Sequence, residues 1–251
     1  AGGGKIVLTN ARATMNQMDG ADVVAITLVI ANEGGPDRMI FASAGDAKLT
    51  IFHGVTDTVG APVPAGSTPS LSLDGAHIML MGVEGDLVDG RLIPLTITFA
   101  EAGDVSTKAT LKAGTDTMTM SADMQADTAA DTAVLGMTHS MDHSVGLTMT
   151  VDQAPTVRVR AAPEGEGWRI RAETTRFTFA PATMDGAHVA GEGHGHLYIG
   201  GLKIMRMTAP EATIGALPQG RHEVRITLNT NNHMAYRTDA GPVSATTFID
   251  V

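Results

Sequence analysis

Residues 5 to 111 repeat one pattern. Runs rich in Val, Ile, Leu and Thr alternate with short turn signals, and no long stretch with a helical hydrophobic period competes with them. The runs are Lys5–Asn10, Asp22–Ala31, Arg38–Ser43, Ala47–His53, Ser70–Leu73, Ala76–Met81, Arg91–Ala100 and Val105–Leu111. Asn32-Glu33-Gly34-Gly35-Pro36 separates the second run from the third. Short strands at this spacing predict a sandwich or Greek-key barrel.

The composition then changes. From Ala113 to Val157 there is no Lys or Arg, but there are six Asp, six Met, His139 and His143. So few large branched side chains cannot offset the entropy of ordering a core. Residues 113–154 are therefore expected to be a linker or arm, with a strand expected around Val145–Val151. Beyond Pro155 the β pattern returns. Val157 and Val159 alternate with Arg158 and Arg160; Trp168, Ile170 and Ala172 alternate with Arg169, Arg171 and Glu173; His222, Val224, Ile226 and Leu228 share a face. The expectation is an all-β chain of two β-sandwich domains, residues 1–112 and 155–251, joined by a Met/His-rich segment.

Charge and composition narrow the function. Seventeen basic and 27 acidic side chains leave a net charge of −10. Phosphate backbones repel such a chain, so nucleic acid is not an expected partner. No apolar run reaches the ~20 residues of a membrane-spanning helix. The beginning at Ala1 carries no leader pattern, as expected of a mature exported chain. Cysteine is absent, which removes disulfides, thiol nucleophiles and any thiolate copper centre. Methionine is abundant, with 15 Met against six Phe, two Tyr and one Trp. Met can act as core filler in a chain short of aromatics, so its placement matters.

The first placement of note is His53 with His77-Ile78-Met79. On a strand, residues i and i+2 point the same way about 7 Å apart, so His77 and Met79 can aim at one ion. Imidazole with thioether is a soft donor set suited to Cu(I); the competing reading is a core Met beside two ordinary surface His. The flanking sequence adds to this. Asn10-Ala11-Arg12-Ala13-Thr14, Ala25–Gly34 followed by Pro36-Asp37-Arg38, Leu49–His53, Gly75–Gly82 and Ile93–Phe99 together resemble the PCuAC family of bacterial periplasmic copper chaperones. The resemblance implies a cupredoxin-like sandwich over residues 6 to 111, a periplasmic or secreted location, and copper held by two His and two Met. Three of those ligands carry over as His53, His77 and Met79. The fourth, a Met about eleven residues after the first His, does not: Gly54–Ser70 contains no Met.

Two further donor groups follow. In the arm, Met118-Thr119-Met120 and His139-Ser140-Met141-Asp142-His143 form Met/His tracts that the compositional reading assigns to copper capture, against a linker with incidental Met. In the last third, Gly193-His194-Gly195-His196 is a His-x-His pair whose rings share a strand face. His233 is the first choice for a third ligand and His188 the second. The competing reading is that His194 and His196 serve a Gly-rich turn. His222 and the pair Met205 and Met207 read as structural. This region is similar to β-domains that accompany bacterial copper-handling proteins.

No Gly-x-Ser-x-Gly elbow, phosphate loop or His-Glu-x-x-His helix occurs, and residue 1 is Ala, not the His of a copper mono-oxygenase. The chain is thus expected to be no enzyme. It is expected to hold copper, as Cu(I) or Cu(II), and pass it to an acceptor cuproprotein such as a respiratory oxidase copper centre. Copper storage and a metal-free interaction module are the alternatives.

Overall fold

The computed structural model describes residues 5–18, 21–112 and 146–251. Twenty strands run through them. The first nine are β1 (Ile6–Met18), β2 (Ala21–Asn32), β3 (Asp37–Ser43), β4 (Ala47–His53), β5 (Ala61–Val63), β6 (Ser70–Leu71), β7 (His77–Val83), β8 (Leu92–Phe99) and β9 (Gly103–Lys112). Then come β10 (Gly146–Thr148), β11 (Thr156–Glu164), β12 (Gly167–Thr175), β13 (Thr178–Phe179), β14 (Glu192–Ile199), β15 (Leu202–Met207), β16 (Glu211–Ile214), β17 (Arg221–Asn229), β18 (Ala235–Thr238), β19 (Gly241–Pro242) and β20 (Ser244–Asp250). The protein is all-β. No helix among the described residues is long and apolar enough to cross a membrane.

In the first half, β4, β7, β2 and β1 pair antiparallel in that order, and β1 continues in parallel onto β9, which pairs with β8 and through it β3. A register shift between Thr9 and Arg12, with Asn10 at φ 53°, lets β1 serve both sides of this sandwich. Alternation places the core. Ile93, Leu95, Ile97 and Phe99 of β8 are buried, as are Ile26, Leu28 and Ile30 of β2. Each such side chain contributes about 1.5–3 kcal/mol when taken from water.

In the second half, β15, β14, β17 and β20 form one layer and β11, β12 and β16 the other, with β11 lying against β20. The outer face of the three-stranded layer carries the charges: Arg160 pairs with Glu173 at 2.9 Å and Arg171 with Glu211 at 3.6 Å. Residues 146–154 join this half. β10 runs parallel to β18, Met149 packs on the core and Ala154 is buried.

The halves share more than a linker. One apolar cluster runs from Ile6 to Ile249 and takes in Leu71, Ile199, Leu202 and Val224. Ser70 of β6 pairs with Lys203 of β15, which carries the hydrogen-bonded sheet across the junction. The buried Arg38 guanidinium donates to the Gln219 carbonyl at 3.0 Å and stands 3.7 Å from Asp57. Asp57 in turn meets His222 Nδ1 at 2.6 Å.

Candidate metal centres

The first cluster grows from strand register. His53 of β4 lies opposite His77 of β7, Ile51 opposite Met79, and Leu49 opposite Met81; on the far side of β7, Met79 faces Ala25 of β2. Partners across a ladder share a face. Ile78 and Leu80 enter the main core, whereas Met79 joins Val23 and Ala25 in a separate small buried cluster bounded by Ile51, Leu73 and Met81. The His53 and His77 rings are 4.8 Å apart between centroids and tilted by 43°. His77 is buried, and its Nδ1 lies 3.1 Å from the Gly75 carbonyl oxygen. A carbonyl only accepts, so Nδ1 carries the hydrogen and the lone pair sits on Nε2. His53 Nδ1 has no hydrogen-bond partner among the described residues. Two imidazoles and one thioether thus share one face, with Met81 two residues farther on.

The second cluster is built on β14. Gly195, Leu197 and Ile199 face the core, which turns His194, His196 and Tyr198 to the opposite face. A β-carbon at Gly193 would collide with the Asn229 carbonyl, so glycine here lets β14 close onto the end of β17. That approach brings in the turn carrying His233. The turn is fastened by Thr230, whose amide donates to the Met234 carbonyl at 2.8 Å and whose hydroxyl accepts from the Met234 amide at 3.0 Å. His233 sits at φ 66° and Asp185 at φ 69°, a region non-glycine residues seldom occupy and one that clusters at functional sites. The Asp185 amide donates to the Asn231 carbonyl at 2.9 Å, and its carboxylate accepts from His233 Nε2 at 2.5 Å.

The outcome is a buried trio. His194, His196 and His233 each present one nitrogen, and the three nitrogens lie within 4.8 Å of one another. His194 Nε2 and His196 Nε2 are 3.0 Å apart, and the His194 and His233 ring centroids 4.6 Å. His194 Nδ1 has no hydrogen-bond partner among the described residues.

Charged groups surround the trio. Asp74, from the first half, accepts from His196 Nδ1 at 3.1 Å, Tyr198 Oη at 2.7 Å and Lys203 Nζ at 3.0 Å. Burial opposes charge on Asp74, but the Lys203 ammonium and the His196 contact outweigh it and hold the carboxyl well below its usual range. Burial, then the Asp74 charge, pushes the Tyr198 phenol up. Arg206 stands 3.7 Å from Asp185. Burial, with repulsion from His196, His233, Arg206 and Lys203, pushes His194 down to about 2. His194 is therefore neutral at ordinary pH, the form a metal needs. His196 and His233 each give one ring nitrogen to a carboxylate, which fixes their orientation and raises the basicity of the other.

The remaining candidates fall elsewhere. His188 lies edge-on to Tyr236, with centroids 6.1 Å apart, and is not part of the trio. His222 uses both nitrogens, on Asp57 at 2.6 Å and the Pro218 carbonyl at 2.7 Å. Met205 and Met207 pack on the main core. Met118, Met120, His139, Met141 and His143 lie outside the described residues. Asp74, Asp185, Lys203 and Arg206 were not read from the sequence. Asp74 precedes His77 by three residues, but no local pattern ties it to His196, 122 positions later.

Residues 6–111 match the family described as LpqE-like, putative lipoprotein LpqE-like. That stretch contains the segments on which the resemblance to the PCuAC family rests. No curated protein is a significant match to the chain. Among solved structures, the chain is similar to the copper-bound PCuAC domain from PmoF2 (22% identity, TM-score 0.39, 45% of this chain and 97% of that one). It is also similar to the apo PCuAC domain from PmoF1 (23%, 0.39, 44% and 96%). The N-terminal periplasmic domain of ScsB from Proteus mirabilis aligns over 100% of this chain and 94% of that one, at 10% identity and TM-score 0.27.

Proposed function

We propose that this chain is an exported copper-binding protein that holds ions at two centres and passes them to an acceptor cuproprotein, such as the copper centre of a respiratory oxidase. The observation that carries the reading is the buried trio, three neutral-capable imidazoles with nitrogens within 4.8 Å. The PCuAC-type motifs around His53, His77 and Met79 support copper as the ion.

The two donor sets suit different ions. His53, His77 and Met79 offer imidazole and thioether, a set for Cu(I). His194, His196 and His233 offer nitrogen alone, backed by two carboxylates, a set for Cu(II) or another divalent ion of that class. Neither set includes thiolate, so each ion leaves by stepwise ligand exchange as an acceptor's donors replace these. A second reading, retention without delivery, is favoured by the burial of all three imidazoles of the trio. The arm tracts with Met118, Met120, His139, Met141 and His143 would serve either reading as collectors.

Competition titrations of the full chain test this, with Cu(I) against a chelator and Cu(II) followed by electron paramagnetic resonance. Tight Cu(I) binding lost in His77→Ala, with a nitrogen-rich Cu(II) signal lost in His194→Ala, supports it. Failure of both ions to compete sinks it. Fast transfer to an apo-acceptor separates delivery from retention.

A further inference from the structure

Resting on the two-centre reading above, we infer that Asp74 is a positioning residue shared by both centres, so that an ion at one changes the affinity of the other. Its carboxylate orients His196 directly, through Nδ1 at 3.1 Å. Its backbone belongs to the turn that leads into His77. That turn is closed by the Ser72 amide on the Ala76 carbonyl at 2.8 Å and the Gly75 amide on the Ser72 carbonyl at 3.0 Å. The next residue, Gly75, supplies the carbonyl that fixes His77 Nδ1. The same five-residue turn therefore aims one ligand of each centre.

The turn is not free to move alone. The β14–β15 connection, Gly200-Gly201, lies across it. The Gly201 carbonyl accepts from the Ala76 amide at 2.8 Å, and the Gly200 carbonyl from the Thr56 amide at 3.1 Å. Gly201, at φ 86°, sits so close to the Gly54 carbonyl that any β-carbon would collide with it. A β-carbon on Gly75 would lie 3.0 Å from the Tyr198 ring. The exit of His53 and the entry of His77 are thus both held by the hairpin whose first strand carries His194 and His196. Lys203, on its second strand, reaches back to the same Asp74 oxygen at 3.0 Å. An ion that pulls His196 toward it loads the Asp74 contact, and Asp74 transmits the load to the backbone three residues before His77.

The test uses full-length protein with copper alone as the probe. The Cu(II) affinity and spectrum of the trio are measured with the first centre empty, in a His53→Ala, His77→Ala background, and with it filled by Cu(I). The Cu(I) affinity of the first centre is measured with the trio filled by Cu(II) and with the trio disabled by His194→Ala. Coupling predicts a change of about fivefold or more, equal in both directions because linkage is reciprocal. Asp74→Asn keeps the shape but not the charge. It is expected to weaken Cu(II) at the trio by about 10- to 100-fold, to shift the spectrum, and to erase the coupling. Asp74→Glu is expected to restore part of the coupling, and circular dichroism and melting of each variant report folding. Two filled centres with independent affinities would overturn the coupling and leave the two-centre reading intact. No copper at either centre of the wild-type chain would overturn both. Equal coupling in wild type and Asp74→Asn would overturn the role of Asp74.

Discussion

The two histidine clusters sit in contrasting surroundings. Beside the two imidazoles of the first cluster, Met79 packs with the apolar side chains of Val23, Ala25, Ile51, Leu73 and Met81. Around His194 the neighbours are Asp74, Lys203, Asp185 and Arg206, two charges of each sign. On the two-centre reading, the first region would offer an ion soft donors beside an apolar cluster, which suits a monovalent ion whose charge needs little compensation. The second aligns its imidazoles with carboxylates, which suits a divalent one. On the two-centre reading, the supporting residues would set what each centre prefers as much as the ligands do.

The largest expected effect isolates the second region. Replacing His194 and His196 together with Ala is expected to remove Cu(II) binding at the trio, a loss on the order of a thousandfold or more if each ligand is worth at least ~2 kcal/mol. Cu(I) binding at the first centre should persist apart from the coupling factor. A parallel collapse of both in competition titrations would break the comparison. Asp185→Asn is the next probe. It leaves every ligand in place yet is expected to weaken the trio by about 10- to 100-fold, with no change at the first centre. A smaller change is expected from Met79→Leu. The swap conserves volume and should cost less than about 1.5 kcal/mol of stability, measurable by denaturant melting. Cu(I) affinity should fall by about tenfold while the trio is untouched. An unchanged Cu(I) affinity would reduce Met79 to packing alone. Met79→Ala is the poorer test, since a cavity of that kind costs about 2–5 kcal/mol and confuses folding with binding.

The last expected effect concerns acidity. His194 is pushed down to about 2 in the folded chain, whereas an imidazole in the unfolded chain takes a proton near ~6.5. Between those values the unfolded state binds more protons. The stability of the metal-free protein therefore rises with pH across that window and levels off above it. Melting of metal-free protein between about pH 5 and 7 should show this slope. His194→Gln should flatten it and Met79→Leu should not.

Alternation made the first half legible. β2, β3, β4, β8 and β9 fall where Val, Ile, Leu and Thr cluster, because each strand buries one face. The His53, His77, Met79 face followed from that register together with the resemblance. In the second half the shortest strands escaped, since two to four residues carry no period: β13, β16, β18 and β19 are set by neighbours, not by their own side chains. The proximity of His233 to His194 and His196 was a choice among histidines that the Gly193 close approach and the Thr230 turn bring about. The charged surround was not legible at all. Asp74 and Asp185 reach the trio through folds of the chain that leave no mark on local composition.

That long reach sets a timetable for assembly. The second centre draws on residues 74, 185, 194, 196 and 233, so nearly the whole chain must be synthesised and packed before it exists. Contacts between such distant segments form late, after shorter loops have closed. The proposed ligands of the first centre lie within residues 53–79, yet their strand ends are fastened only when Gly200 and Gly201 arrive. Ion capture in the order of synthesis is thereby discouraged, and a chain cut short in its last twenty residues keeps the first ligands but loses the last of the three imidazoles only if the cut falls before His233.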